Sequence, residues 1–157
     1  MNQVVTRIAS WIVALMVPLF LIILTIRLVF TPLSVQIVYR TPGFPADPYG
    51  FSMADRMQWS RISLEYLFNN SDISFLANQH LSDGQPLYNE RELNHMADVK
   101  VFFQSLTRTG IILFIALAAF GLWAWRGQWL PAFLHGLGNG GKLTIAFVFL
   151  IMMALVT

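Results

Sequence analysis

The stretch YNERELNHMADVKVFF, residues 88–103, decides the fold, because it runs directly into QSLTRTGIILFIALAAFGLWAWR, residues 104–126. The first part is a charged helical pattern. It is opened by Asn89 with Glu92 three residues later, a capping-box variant in which each side chain can satisfy a backbone N–H of the other. The second part is apolar and long enough to cross a bilayer. Ionisable groups therefore lead straight into a lipid-soluble helix, which places chemistry at a membrane surface. Arg91, His95 and Asp98 recur at spacings of four and three, so one helical face carries all three. Val99 and Phe102 continue that stripe towards the apolar end.

Outward from this join, residues 106–125 read as a second span, closed by Trp123, Trp125, Arg126 and Trp129 as an interfacial belt. Residues 8–30 read as the first span, being apolar apart from Ser10, Thr25 and Arg27. A cleaved signal peptide fits this segment less well, because the run exceeds a typical h-region and is followed by Thr31, Pro32 and Leu33 rather than small residues. Pro18 removes a donor in mid-span and predicts a kink. Arg27 lies about one turn from the end, within snorkelling reach of the headgroups. Residues 143–156 make a third apolar stretch of about 21 Å as a helix, which predicts a third span that is short or truncated.

Composition agrees with a bilayer as solvent. Hydrophobic residues make up 56% of the 157, and the mean hydropathy of +0.59 lies well above the soluble range. The formal net charge is +2, and all eight acidic residues fall between Asp47 and Asp98. No basic run with interleaved aromatics occurs, so nucleic acid is not expected as a partner. The absence of cysteine excludes disulfides, thiolate catalysis and cysteine-ligated metals. Arg7, Arg126 and Lys142 flank the spans on one side with no acid nearby, which predicts a cytoplasmic N-terminus and an external large loop in the plasma membrane of a cell.

The predicted architecture is an all-α, multi-pass membrane protein with three transmembrane helices and a mainly helical extracytoplasmic domain between the first two. Its segments are 1–32 (N-terminal segment and first span), 33–105 (external domain with two amphipathic helices), 106–126 (second span), 127–142 (cytoplasmic loop) and 143–157 (third span). Within the domain, TPGFPADPY at 41–49 predicts an extended, turn-rich connector. Ser52 with Asp55 predicts the cap of a helix to about Phe68, with Met53, Met57, Leu64 and Leu67 on one face and Arg56, Ser60 and Ser63 on the other. Residues 72–86 are turn-rich, with Phe75 and Leu76 as a short strand or a membrane-dipping patch. The glycine-rich GLGNGG at 136–141 lacks the preceding strand and spacing of a phosphate loop, so a flexible turn between antiparallel helices is the better reading.

His95 and Asp98 form the constellation with chemistry to offer. A carboxylate beside an imidazole fixes its tautomer and raises its basicity, as a general base at neutral pH requires. A charge-paired surface helix has the same spacing and stands as the alternative. His80, His95 and His135 are far apart in sequence, so no metal is expected, and no nucleophile elbow, phosphate loop or H-E-x-x-H pattern calls for a cofactor. No Asp, Glu or His lies within a span, which argues against a transporter.

LYNERELNHMADVKVFFQ, residues 87–104, resembles the membrane-protein family whose characterised members are the lipoprotein intramolecular transacylases (Lit) of Gram-positive bacteria. The N-terminal span, the connector reaching Tyr49-Gly50-Phe51-Ser52, the helix ending in Glu65-Tyr66-Leu67, and His95, Asp98, Val99 and Lys100 before the second span carry the resemblance, over roughly residues 8–157. It implies an enzyme that moves the sn-2 acyl chain of a diacylglyceryl-modified N-terminal cysteine onto that cysteine's α-amino group. His95 would take the amine proton and Asp98 would orient it, with Arg91 and Lys100 as substrate-binding residues. Membrane lipids and diacylated lipoprotein N-termini are the implied partners. The family pattern has four spans and a second functional histidine after the third, so the resemblance carries over one half of a two-histidine site. His135 does not replace the missing half, because it falls on the other side of the membrane in this topology. The competing reading is a non-catalytic interaction or assembly protein, or an inactive truncated homologue, docking through amphipathic helices that present Met53, Met57 and Trp59.

Overall fold

The computed structural model describes residues 2–156, and every regular element among them is helical. The helices are α1 (Gln3–Val29), α2 (Pro32–Tyr39), α3 (Met53–Phe68), α4 (Ser74–Ala77), α5 (Glu90–Arg126) and α6 (Leu130–Val156), with one isolated β-bridge between His80 and Pro86. Three of them, α1, α5 and α6, are long and apolar enough to cross a membrane. Met1 and Thr157, the outer ends of the first and last expected segments, lie outside the described residues. The chain forms two compact units, one made of the chain up to Thr25 and from Arg108 onward, the other of Ile26–Thr107.

In the first unit, helix packing rests on small residues. Ala9, Val13, Ala14 and Val17 are the buried residues of α1, and they recur on one face at helical spacing. Gly136 and Gly140 of α6 lie against them. A Cβ on Gly136 would stand 2.6 Å from the Ser10 carbonyl oxygen, and one on Gly140 would stand 2.5 Å from Val17 Cβ. The Ser10 hydroxyl donates to the Ala132 carbonyl at 2.8 Å, a polar contact of the kind that holds helices together in lipid. Residues 127–142, expected as a cytoplasmic loop, are thus helical from Leu130 onward, and GLGNGG is not a flexible turn. The physical reason is the four-residue spacing of Gly136 and Gly140, which lets two helix backbones approach closely and repays the low helix propensity of glycine. The third apolar helix has 27 residues, as many as α1.

The α5–α6 turn is a Schellman cap. Trp129 N–H donates to the Ala124 carbonyl at 3.0 Å and Gln128 N–H to the Trp125 carbonyl at 3.4 Å. Gln128 takes the left-handed position, with φ 58°. Trp129 and Phe133 pack with Ala9, Val13, Val17 and Ala124 into the core of this unit.

The second unit has its own core of Tyr66, Leu67, Leu76 and Phe103. The predicted α3 cap is present as a reciprocal pair, Asp55 N–H to Ser52 Oγ at 3.2 Å and Ser52 N–H to Asp55 Oδ2 at 2.9 Å. The Ser52 hydroxyl also donates to Asp55 Oδ2 at 2.6 Å, and this bond, with the one from Ser52 N–H, holds the Asp55 carboxyl below its ordinary pKa. Phe75 and Leu76 are neither a strand nor a membrane-dipping patch. Asp72 accepts from Ser74 N–H at 2.9 Å to start the short helix α4, and Leu76 is fully buried in the core. The helix α2 was not expected from sequence. Its signal is Thr31-Pro32, with the Thr31 hydroxyl accepting from Ser34 N–H and proline at the first helical position.

Two outcomes test this packing by thermal unfolding of the detergent-solubilised protein. Gly136→Ala and Gly140→Ala should each cost about 1–3 kcal/mol through overpacking, whereas Gly138→Ala and Gly141→Ala, which meet nothing within 4 Å, should be neutral or gain up to about 1 kcal/mol. Equal effects at all four positions would contradict the interface. Gln128→Gly should raise stability by about 1 kcal/mol by relieving the left-handed strain; a lower melting temperature would contradict that cap.

Candidate functional site

Both helices that carry the site begin at a side-chain cap, which fixes where each one starts. Ser52 and Asp55 start α3. At the start of α5, Asn89 N–H donates to Glu92 Oε2 at 2.9 Å and Glu92 N–H to Asn89 Oδ1 at 3.0 Å, the reciprocal pair read from the sequence. α5 thereby presents Glu92, His95 and Met96 to α3, which contributes Arg56, Trp59, Ser60 and Ser63. With Tyr39, Asp47, Phe51, Leu87 and Tyr88 these residues line a cleft of about 410 Å³.

Hydroxyl pairs close the walls of the cleft. Tyr39 and Ser60 are 2.9 Å apart, oxygen to oxygen, and Ser63 and Tyr88 are 2.8 Å apart. Ser63 donates its single proton to the Trp59 carbonyl at 2.8 Å, so in the second pair it is Tyr88 that donates. Burial raises the Tyr88 phenol above its ordinary pKa, and Glu92 adds to the rise. The phenol therefore stays protonated at neutral pH and remains a donor. Arg56 is braced beneath Tyr39 and Phe44, with its Cζ 5.3 and 5.2 Å from the two ring centroids. Its Nη1 donates to the Pro45 carbonyl at 3.2 Å. The Asp47 carboxylate accepts from Tyr49 N–H at 2.8 Å.

A second cavity, of about 470 Å³, shares Tyr39, Ser60, Ser63, His95 and Met96 with the cleft but continues along Val29, Val35, Val38, Leu64, Leu67 and Val99. His95 thus stands at the seam between a cleft that holds polar and charged side chains and a more apolar groove. The imidazole is exposed to both. Asp98 is also exposed, and it makes no hydrogen bond or ion pair with His95. Arg91 is exposed as well, and neither Arg91 nor Asp98 borders either cavity.

Lys100 lies elsewhere. It is 8% exposed, and its ammonium donates to Asn69 Oδ1 at 3.0 Å and to the Ser71 carbonyl, 4.0 Å from the Tyr66 ring centroid. It borders neither cavity and fastens the end of α3 to α5. Sequence reasoning missed Tyr39, Asp47, Arg56, Ser63 and Tyr88 as site residues, since nothing in their local patterns marks them. Among the described residues no three His, Asp or Glu side chains gather as a metal site.

The family model described as "Lipoprotein intramolecular transacylase Lit" matches residues 11–157, nearly the whole chain. The protein belongs to the Lit family. An uncharacterised protein of Aquifex aeolicus (strain VF5) is 24% identical over 128 residues, covering 77% of this chain and 59% of that relative. No solved structure matches.

In this Lit-family chain Lys100 should behave as a structural residue. Lys100→Met should lower the unfolding free energy by about 1.5–3 kcal/mol, the range for hydrogen bonds to a charged group, measured by thermal or chemical unfolding in detergent. Wild-type stability in that variant would return Lys100 to the pool of substrate-contacting residues.

Proposed function

We propose that this Lit-family protein is an intramolecular acyltransferase that moves an sn-2 acyl chain from a diacylglyceryl-modified N-terminal cysteine to that cysteine's α-amino group. The observation that carries the reading is the place of His95, shared by a polar cleft and an apolar groove. A lipid ester is the bond at which those two environments meet. The acyl chain lies in the groove along Val35, Val38 and Leu67, and the cysteine backbone and glyceryl oxygens occupy the cleft.

In this mechanism Asp47 and Glu92 draw the α-ammonium into the cleft by charge. His95 takes a proton from it, and the freed nitrogen lone pair attacks the sn-2 ester carbonyl carbon. The C–N bond forms as the carbonyl electrons move to oxygen, and Arg56 offers its remaining N–H donors to that oxyanion. Collapse breaks the bond to the glyceryl oxygen, which receives a proton from the imidazolium, and His95, neutral again, takes the surplus proton from the new amide nitrogen and releases it to solvent. Ester and amine become amide and alcohol, with no water or redox partner consumed. The N-terminus is cytoplasmic in this proposal and the Ile26–Thr107 unit is external, where lipoprotein N-termini reside.

The test is expression in a host that makes diacylglyceryl lipoproteins, with tandem mass spectrometry of the N-terminal lipopeptide. Substrate and product are isomers, so the readout is the fragment ion that carries an acyl chain on nitrogen. The expected outcome is N-acylation by the wild type and a loss of about 100-fold or more with His95→Ala. A free amine in wild-type cells would remove the activity, and full N-acylation with His95→Ala would remove the mechanism.

A further inference from the structure

Arg27 has no part in the acyl-transfer reading, yet it faces a cleft of its own. This cleft, about 410 Å³ within the Ile26–Thr107 unit, is lined by Arg27, Thr31, Arg61, Glu65, Phe68 and Asn69 among others. It shares no lining residue with the cleft of His95, and it meets the apolar groove only at Phe30 and Leu64. The Arg27 guanidinium stacks on Phe68, with Cζ 3.9 Å from the ring centroid, and gives one N–H to the Phe30 carbonyl at 3.4 Å. That leaves its other donors at the edge of a positioned fork, the geometry that suits phosphate oxygens. Arg61 is exposed, and its side chain makes no hydrogen bond or ion pair among the described residues. The Glu65 carboxylate, one turn along α3, is not paired with either arginine.

Two guanidiniums and one carboxylate leave the cleft with one net positive charge. A phosphodiester, singly charged, balances it. A phosphomonoester or free phosphate overshoots and meets Glu65 as a repelling neighbour. Phe30, Pro32 and Leu64 complete the lining and give a glycerol backbone apolar surface to rest on. We propose that this cleft binds the phosphodiester of a membrane glycerophospholipid, at a site beside the acyl groove and independent of whether acyl transfer occurs.

The experiment uses the full-length protein, delipidated in detergent and followed by native mass spectrometry. It is titrated with phosphatidylglycerol, with diacylglycerol of the same acyl chains, and with inorganic phosphate as a competitor. One phosphatidylglycerol should be retained where diacylglycerol is not, and Arg61→Gln should weaken its binding about tenfold while unfolding at the wild-type temperature. Glu65→Gln, which raises the cleft to a charge of two, should shift preference towards phosphatidate. Unchanged retention by Arg61→Gln, or equal retention of diacylglycerol, would overturn the site. Displacement of the lipid by inorganic phosphate would assign the cleft to the free anion and overturn the lipid claim.

Discussion

A buried ammonium is the constraint on which the Ile26–Thr107 unit depends. Lys100 is nearly inaccessible to water, and a charge in that position destabilises the fold by several kcal/mol unless its donors are satisfied. Asn69 and Ser71, just past the end of α3, supply the acceptors. Gln104 adds a bond from the next turn of α5 to the Asn69 carbonyl at 3.0 Å. These contacts, across 29 to 35 residues of sequence, clamp the end of α3 to α5, and Lys100 lies between one and two turns from His95 on the same helix. The facing of His95 towards Ser60 and Ser63 follows from it.

The other unit is held by a different force. Among lipid-exposed helices there is no hydrophobic gain from association, so close backbone approach and polar contacts decide which helices pair. Gly136, Gly140 and the Ser10 hydroxyl provide both. Large apolar side chains such as Leu15, Ile112 and Phe149 remain mostly exposed on the outer faces, an arrangement that a hydrocarbon environment accepts and water does not. The same glycine that weakens a helix in water strengthens a helix pair in lipid.

The Ile26–Thr107 unit holds a boundary between two environments. The walls of the cleft are tied by phenol and hydroxyl pairs, and the groove beside it continues along Val29, Val35, Val38, Leu64, Leu67 and Val99. An amphiphile that enters both is oriented by solvation alone, before any specific hydrogen bond forms. In the proposed acyl transfer, holding the reacting atoms at that seam reduces the entropic part of the barrier in advance.

Hydropathy and capping signals were legible in the sequence because they are local. The three apolar helices, the Ser52 and Asn89 caps and the Lit-family pattern around His95 all lie in contiguous residues. The short helix α2 was legible in principle from Thr31-Pro32 and was passed over. Tertiary structure decided what depends on distant partners. It made GLGNGG a helix-packing face, because only the presence of α1 rewards small residues there. It buried Lys100, because the acceptors on Asn69 and Ser71 come from another element. It also left Asp98 apart from His95 and brought Arg56, Ser63 and Tyr88 to the cleft instead. Helical spacing places residues on a face, whereas the rotation of one helix against another decides what that face meets.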